Sequence, residues 1–183
     1  MNEIIPSIQQ RRSAMAFSPE SIPQDHLLQI FRAASLAPSA YNEQPWLFVV
    51  ANRINTEAFN RVLNTLAPGN QDWAKNAGAL VVSAARKNYT KVEGNNYYAL
   101  HDLGMATAMF LLQAQSMGYV THMMGGFNHN EIRKILELDD SFEIGAVTAL
   151  GKPGKVDNLS PQNKQRELSP RSRLEIEKVL RIL

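Results

Sequence analysis

The feature that most constrains this sequence is a helical stretch without a polar face. Residues Leu103 to Leu112 read LGMATAMFLL, in which Thr107 is the only polar side chain. A helix that is apolar all round is either buried on every side or lies in a membrane. A membrane span needs about 20 apolar residues, so this shorter run favours burial in protein. Because a chain of 183 residues rarely encloses one of its own helices completely, we expect a second copy of the chain to cover it.

A glycine pair follows this helix at a point where the backbone can approach a ligand. Gly125 and Gly126 come after a predicted strand and before Asn128, which suits the N-terminal cap of the next helix. Glycines between a strand and a helix cap are typical of segments that present backbone amides to a ligand. On these residues alone, a plain turn is the better explanation.

Composition excludes several classes of function. The chain has no cysteine, which removes disulfides, thiolate metal sites and cysteine nucleophiles together. Its four histidines show no metal-ligand spacing, so no metal site is predicted. A net charge of +2 is too small to indicate nucleic-acid binding. The N-terminus does not read as a signal peptide, so we expect a cytoplasmic protein without a membrane partner.

The remaining pattern predicts one domain, residues 1–183, built from alternating helices and strands. Continuous apolar runs predict core strands at residues 46–50, 79–85 and 142–150. Residues 152–170 are polar and interrupted by Pro153 and Pro161, and we expect them to form an extended arm along a surface. Apolar residues from Leu174 onward predict a final helix that begins near Arg171.

Two segments carry polar side chains that suit ligand binding. Arg11, Arg12 and Ser13 offer charge-assisted donors for a phosphate, although a solvated helix end explains them better on local grounds. The loop from Pro38 to Pro45 is rich in small polar residues and lies between a predicted helix and a core strand. Loops fixed in this way often carry binding residues.

The order of several motifs resembles the nitroreductase family of FMN-dependent NAD(P)H oxidoreductases. These motifs are RRSAMAF, APSAYNEQPW, NQDW, the buried helix followed by GGFN, and RSRL. The resemblance implies an α+β fold, a three-layer α/β/α sandwich with a mostly antiparallel central sheet, in an entwined homodimer with two FMN sites. It also implies a ping-pong reaction, in which hydride passes from NAD(P)H through the flavin to a nitroaromatic, quinone or similar small-molecule acceptor. No protein residue is assigned as catalytic, since the chemistry takes place on the flavin.

The resemblance assigns the FMN phosphate to basic residues from both ends of the chain. In the first motif, Arg11 and Ser13 would hold the phosphate end and polar ring atoms, and Arg12 would contribute backbone contacts. Arg171 and Arg173 match a basic pair that clamps the phosphate. A second pair has the same spacing and is a competing match: Lys164 and Arg166.

The resemblance also assigns residues to the flavin ring. A loop from the other subunit would pack on the ring, and its matching residues here are Pro38, Ser39, Ala40 and Asn42. Asn70 matches an asparagine on the pyrimidine side of the ring, and Gly125 and Gly126 match the segment whose backbone amide faces flavin N5. Tyr41 either lines the substrate pocket or packs at the interface, and the two explanations are equally supported.

The sequence departs from the family pattern at two positions. Met15 and Trp73 stand where family members often carry a basic residue near flavin N1 and O2. Losing those charges would lower the reduction potential of the flavin, because the reduced ring is anionic. These departures favour one alternative, an FMN-binding homologue with weak or no turnover that acts in binding or regulation. A second alternative is a dimeric module without flavin, in which the arginines are merely solvated.

Overall fold

The computed structural model describes residues 4–183. Its centre is one sheet of four strands in the order β1–β2–β4–β3, and every neighbouring pair is antiparallel. The strands are β1 (Trp46–Asn52), β2 (Ala79–Arg86), β3 (Val120–Met124) and β4 (Phe142–Gly151). The three strands that the apolar runs predict are therefore present, and the shorter β3 adds an edge to the sheet.

Seven α-helices accompany the sheet within residues 4–183. They are α1 (Pro6–Gln10), α2 (Gln24–Ser35), α3 (Thr56–Leu63), α4 (Pro68–Ala74), α5 (Ala99–Ser116), α6 (His129–Ile135) and α7 (Pro161–Leu168). The Asn128 side chain accepts a hydrogen bond from the Glu131 N–H and caps α6, as predicted. Gly118 ends α5 with a φ of 75°, a conformation that glycine adopts at little cost.

Alternating side chains of β2 divide the core into two layers. Leu80 and Val82 point to one face, where they join a hydrophobic cluster that includes residues of α3, α4 and α6. Ala79 and Val81 point to the other face, where they meet α2 and α5. Helices thus cover both faces of an antiparallel sheet, and the predicted α+β three-layer sandwich is confirmed.

Helix α5 is only partly covered by its own chain. Ala106, Phe110 and Ala114 are fully buried, and the polar Thr107 is buried as well. A stripe along the other side of the helix remains exposed or half-buried, and it consists of Gly104, Met105, Ala108, Met109 and Leu112. The chain therefore leaves an apolar helix face without a partner, which is the situation that the sequence predicts.

The tail differs from the sequence predictions in two respects. Residues 152–170 are not extended throughout, because α7 forms within them and buries Asn163 and Glu167. The predicted final helix is wrong, since only a short 3-10 turn, Ile176–Lys178, occurs after α7. The packing that would stabilise such a helix is missing, because the apolar side chains of the tail are exposed. These are Leu174, Ile176, Val179, Leu180, Ile182 and Leu183.

No helix within residues 4–183 combines the length and the apolar character that crossing a bilayer requires.

Candidate functional site

A strongly basic pocket lies where the first motif meets the tail. Its volume is about 360 Å³. Four arginines line it, namely Arg11, Arg12, Arg171 and Arg173. Ser13 is also part of the lining, and the Arg171 Nη1 donates a hydrogen bond of 3.0 Å to the Arg11 carbonyl oxygen. Desolvation, and then the like charges of Arg173 and Arg171, lower the pKa of the Arg11 guanidinium. An anion would relieve this repulsion, so the pocket fits a phosphate group.

The competing basic pair lies elsewhere on the tail. Lys164 pairs with Asp157 through its ammonium group. Among the described residues that line the arginine pocket, neither Lys164 nor Arg166 is included. The geometry therefore favours Arg171 and Arg173 as the pair that accompanies the first motif.

Glu167 connects the tail to the first motif, a role that the sequence does not reveal. Its carboxylate accepts a hydrogen bond of 2.6 Å from the Met15 N–H and lies 3.9 Å from the Arg12 guanidinium. Arg12 also donates to the Glu167 carbonyl oxygen. The Arg12 side chain is thus held by Glu167. The backbone contacts to FMN that the resemblance implies for Arg12 stay a prediction. Since Glu167 is separated from Met15 by 152 residues in a polar stretch, no local pattern points to it.

The residues predicted for the flavin ring at the glycine pair come together. The Asn70 Nδ2 donates to the Gly126 carbonyl oxygen at 3.3 Å, and the Ala67 N–H donates to the same oxygen at 2.9 Å. A Cβ atom at Gly126 would lie 3.2 Å from the Asn70 Nδ2, so glycine permits this close approach. A Cβ at Gly125 would meet nothing within 4 Å, which leaves its backbone facing open space.

Strand β3 connects the arginine pocket with the glycine pair. Ser13 forms a parallel bridge with Thr121 on β3, and the Ala14 N–H donates to the Thr121 carbonyl oxygen at 3.1 Å. The strand then runs through His122 to Met124 and into Gly125. The basic motif and the open glycine segment therefore lie along one edge of the sheet, an arrangement that can hold a phosphate at one end and a flat ring at the other.

His122 is a further residue of this edge that the sequence analysis does not assign. Its Nδ1 lies 3.1 Å from the Ala14 carbonyl oxygen, and because a carbonyl only accepts, Nδ1 carries the proton. The ring packs against Trp73 with centroids 4.5 Å apart. Desolvation lowers the pKa of His122, so the imidazole is neutral at pH 7. Sequence spacing gives no signal for this residue.

Met15 and Trp73 do not face a ligand surface. They are 3% and 1% exposed, and both belong to the hydrophobic cluster on the α3, α4 and α6 face of the sheet. Phe17 stacks on Trp73 with ring centroids 6.1 Å apart. The two positions where the family pattern places basic residues are therefore filled by core side chains, and neither can donate to a flavin ring in this conformation.

The loop that carries Pro38, Ser39, Ala40, Tyr41 and Asn42 contacts a different part of the molecule. The Ala40 N–H donates a hydrogen bond of 3.0 Å to the Asp102 carboxylate on α5, which is only 2% exposed. Pro38, Ser39 and Ala40 line a pocket of about 270 Å³ beside the same helix. Tyr41 is 70% exposed. This loop points outward beside the uncovered stripe of α5.

Comparisons with known proteins give a consistent result. Residues 8–152 match the Nitroreductase family. An Archaeoglobus fulgidus protein, provisionally named NADH dehydrogenase/NAD(P)H nitroreductase, is 29% identical over 84% of this chain and 87% of its own length. A Bacillus subtilis protein named FMN reductase [NAD(P)H] is 26% identical over 75% of this chain and 61% of its own length. A solved oxidoreductase containing FMN is 33% identical with a TM-score of 0.91, over 98% of this chain and 91% of the other.

Proposed function

Because the chain belongs to the nitroreductase family, we propose that it passes electrons from NAD(P)H to a small nitroaromatic, quinone or similar acceptor in a ping-pong cycle. The prediction of an NAD(P)H-dependent flavin oxidoreductase that uses FMN is confirmed by this membership and by the similarity to proteins named for that activity and cofactor. When bound, FMN supplies the hydride chemistry. The protein residues bind the cofactor, orient it and shape the acceptor pocket.

The arginine pocket is the observation that carries this proposal. Arg11, Arg171 and Arg173 place three positive charges around a volume that suits a phosphate group. Arg12, which Glu167 holds, completes the lining. Asn70, Gly125 and Gly126 lie along the same sheet edge, where they would meet the flat ring. Charge-assisted hydrogen bonds to a phosphate are about twice as strong as neutral ones, so the pocket supplies most of the affinity for FMN. The glycine segment would let the flat flavin ring approach the backbone.

We further propose that the active form is a homodimer. The uncovered α5 stripe, which includes Met109 at 40% exposure, and the exposed apolar tail both need a partner surface. In this arrangement, the Pro38–Asn42 loop of one subunit covers the ring bound by the other. An obligate interface of this kind buries more than about 2,000 Å² in total.

The test is FMN binding with matched tail variants. Removing one charge-assisted partner of a phosphate costs about 1.5–3 kcal/mol, or roughly tenfold to a hundredfold in affinity. Arg171→Ala and Arg173→Ala should therefore weaken FMN binding by this factor. Lys164→Ala removes the same charge from a residue that pairs with Asp157 outside the pocket lining, and it should retain FMN. Flavin loss in the Lys164 variant alone would contradict the assignment.

Burial of Met15 and Trp73 favours one alternative function. With core side chains at both positions, the chain lacks the cations that would stabilise a reduced flavin there. The alternative is an FMN-binding homologue with weak turnover. Steady-state oxidation of NADH and NADPH, with a quinone or a nitroaromatic as acceptor, separates the two. Full FMN occupancy without acceptor-dependent oxidation would favour the alternative.

A further inference from the structure

The loop from Pro38 to Gln44 has an unusual backbone. Tyr41, Asn42 and Gln44 have φ values of 53°, 53° and 51°, in the left-handed region that side chains rarely adopt. Such conformations are costly and persist where the surrounding structure fixes them, most often at binding sites. The groups that hold this loop therefore fix the position of the exposed Tyr41 side chain.

The main contacts to the loop come from a small hairpin of residues 87–96. A bridge between Asn88 and Asn95 closes it, and the Tyr89 N–H donates to the Gly94 carbonyl oxygen at 3.0 Å. Gly94 has a φ of 118°, which only glycine adopts readily at such a turn. We call this segment the 87–96 hairpin.

The Glu43 carboxylate joins the loop to the 87–96 hairpin through three hydrogen bonds. The Thr90 N–H and hydroxyl donate to it at 2.9 and 2.7 Å, and the Lys91 N–H donates at 2.9 Å. Desolvation raises the pKa of Glu43, but the hydrogen bonds from Thr90 and Lys91 outweigh it and hold the pKa below its ordinary value. The carboxylate is thus ionised at neutral pH and can accept from all three donors.

Lys91 and Tyr89 complete the contact between the two segments. The Lys91 ammonium donates to the carbonyl oxygens of Tyr41, at 3.2 Å, and of Asn42. These are the carbonyls of two residues with left-handed backbone. The Tyr89 ring meets the Tyr41 ring edge to face, with centroids 5.6 Å apart and an interplanar angle of 84°. The hairpin therefore fixes the strained backbone and places a second aromatic ring beside Tyr41.

We propose that Tyr89 binds the electron acceptor and that Glu43 and Thr90 hold the Tyr89 side chain in place. This inference rests on the proposed function, in which the Pro38–Asn42 loop covers the flavin ring of the partner subunit. Tyr41 is 70% exposed and Tyr89 is half-buried, so the pair presents aromatic surface on which a flat acceptor can stack. The Tyr89 phenol is protonated at neutral pH, as tyrosine ordinarily is, and can donate to a quinone or nitro oxygen. Desolvation, and then the nearby groups Tyr41, Tyr98, Asp102 and Glu43, raise its pKa further.

The test compares a flat acceptor with one that needs no aromatic contact. The two acceptors are 1,4-naphthoquinone and ferricyanide, and the measured quantity is the ratio of their kcat/KM values with the FMN-loaded protein. Tyr89→Ala removes the ring, and Thr90→Val removes one hydrogen bond to Glu43 while keeping the shape of the side chain. Thr90→Ser keeps the hydroxyl. Glu93→Gln changes a charge on the same hairpin, where the described residues show no ion pair or hydrogen bond to it.

Tyr89→Ala should lower the naphthoquinone-to-ferricyanide ratio about two- to tenfold, the size expected for one aromatic contact, mainly through a higher KM for naphthoquinone. Thr90→Val should shift the ratio in the same direction, and Thr90→Ser and Glu93→Gln should keep the wild-type ratio. Unchanged ratios in both Tyr89→Ala and Thr90→Val would overturn the inference while leaving the proposed function intact. A wild-type protein that reduces neither acceptor would overturn the proposed function, and this inference with it.

Discussion

Replacing Glu167 tests whether the tail holds the first motif in place. The Met15 N–H is buried and donates to the Glu167 carboxylate at 2.6 Å, so Glu167→Ala leaves this donor without a partner. An unsatisfied buried donor costs about 1–3 kcal/mol. The Arg12 side chain is 46% exposed, and its ion pair with Glu167 adds at most about 1 kcal/mol because solvent screens it. We expect a total destabilisation of about 2 kcal/mol.

The assay is thermal unfolding of the FMN-free protein at a fixed protein concentration. For a chain of this size, 1 kcal/mol lowers Tm by about 2–4 °C, so Glu167→Ala should lower it by about 4–8 °C. Glu167→Gln keeps an oxygen that can accept from the Met15 N–H, and it should lose less. Glu93→Ala removes the same charge from an exposed position that makes no hydrogen bond or ion pair among the described residues, and it should keep the wild-type Tm. A wild-type Tm for Glu167→Ala would refute the argument that this contact fixes the motif.

Three further predictions concern the core, a histidine and the assembly. Met15→Arg places a charge at a 3% exposed core position, so circular dichroism should show a large loss of stability, whereas the volume-conserving Met15→Leu should cost less than about 1.5 kcal/mol. The His122 pKa lies below 6.5 in the folded protein, so the unfolded state binds more protons just below that pH. The urea midpoint of unfolding should therefore fall as the pH drops through this window. A His122→Asn variant whose urea midpoint falls equally steeply with pH would contradict this. Sedimentation at low micromolar concentration should show a dimer, and Met109→Lys in the α5 stripe should weaken it; a wild-type monomer would rule out the obligate dimer.

Local sequence patterns predicted individual strands and helix ends, because these reflect local physical chemistry. The three-layer arrangement came from the resemblance to the nitroreductase family. Apolar runs located the core strands, and Asn128 marked the start of a helix that the structure confirms. The lack of a polar face on α5 also predicted that its own chain would not bury it completely, and the structure shows an exposed apolar stripe there. The predicted family is confirmed by the match over residues 8–152.

The parts of the site that the sequence missed depend on contacts between distant segments. Glu167 meets Met15 across 152 residues, and Glu43 meets Thr90 across 47. Each is an ordinary polar residue in its local context, so no periodicity or spacing identifies it. The predicted final helix failed for a related reason: its apolar stripe finds no packing surface within the single chain, and short helices need tertiary packing. The assignment of individual residues to FMN stays a prediction.

The most direct measurement is an anaerobic titration of the FMN-loaded protein with NADH and with NADPH, followed by visible absorbance. We expect that the protein binds FMN stoichiometrically, that one nicotinamide bleaches the flavin band, and that a quinone added afterwards restores it. A double variant, Arg171→Ala with Arg173→Ala, should lose the flavin and with it the bleaching. A wild-type protein that binds no FMN, or whose bound flavin neither nucleotide reduces, would contradict the account.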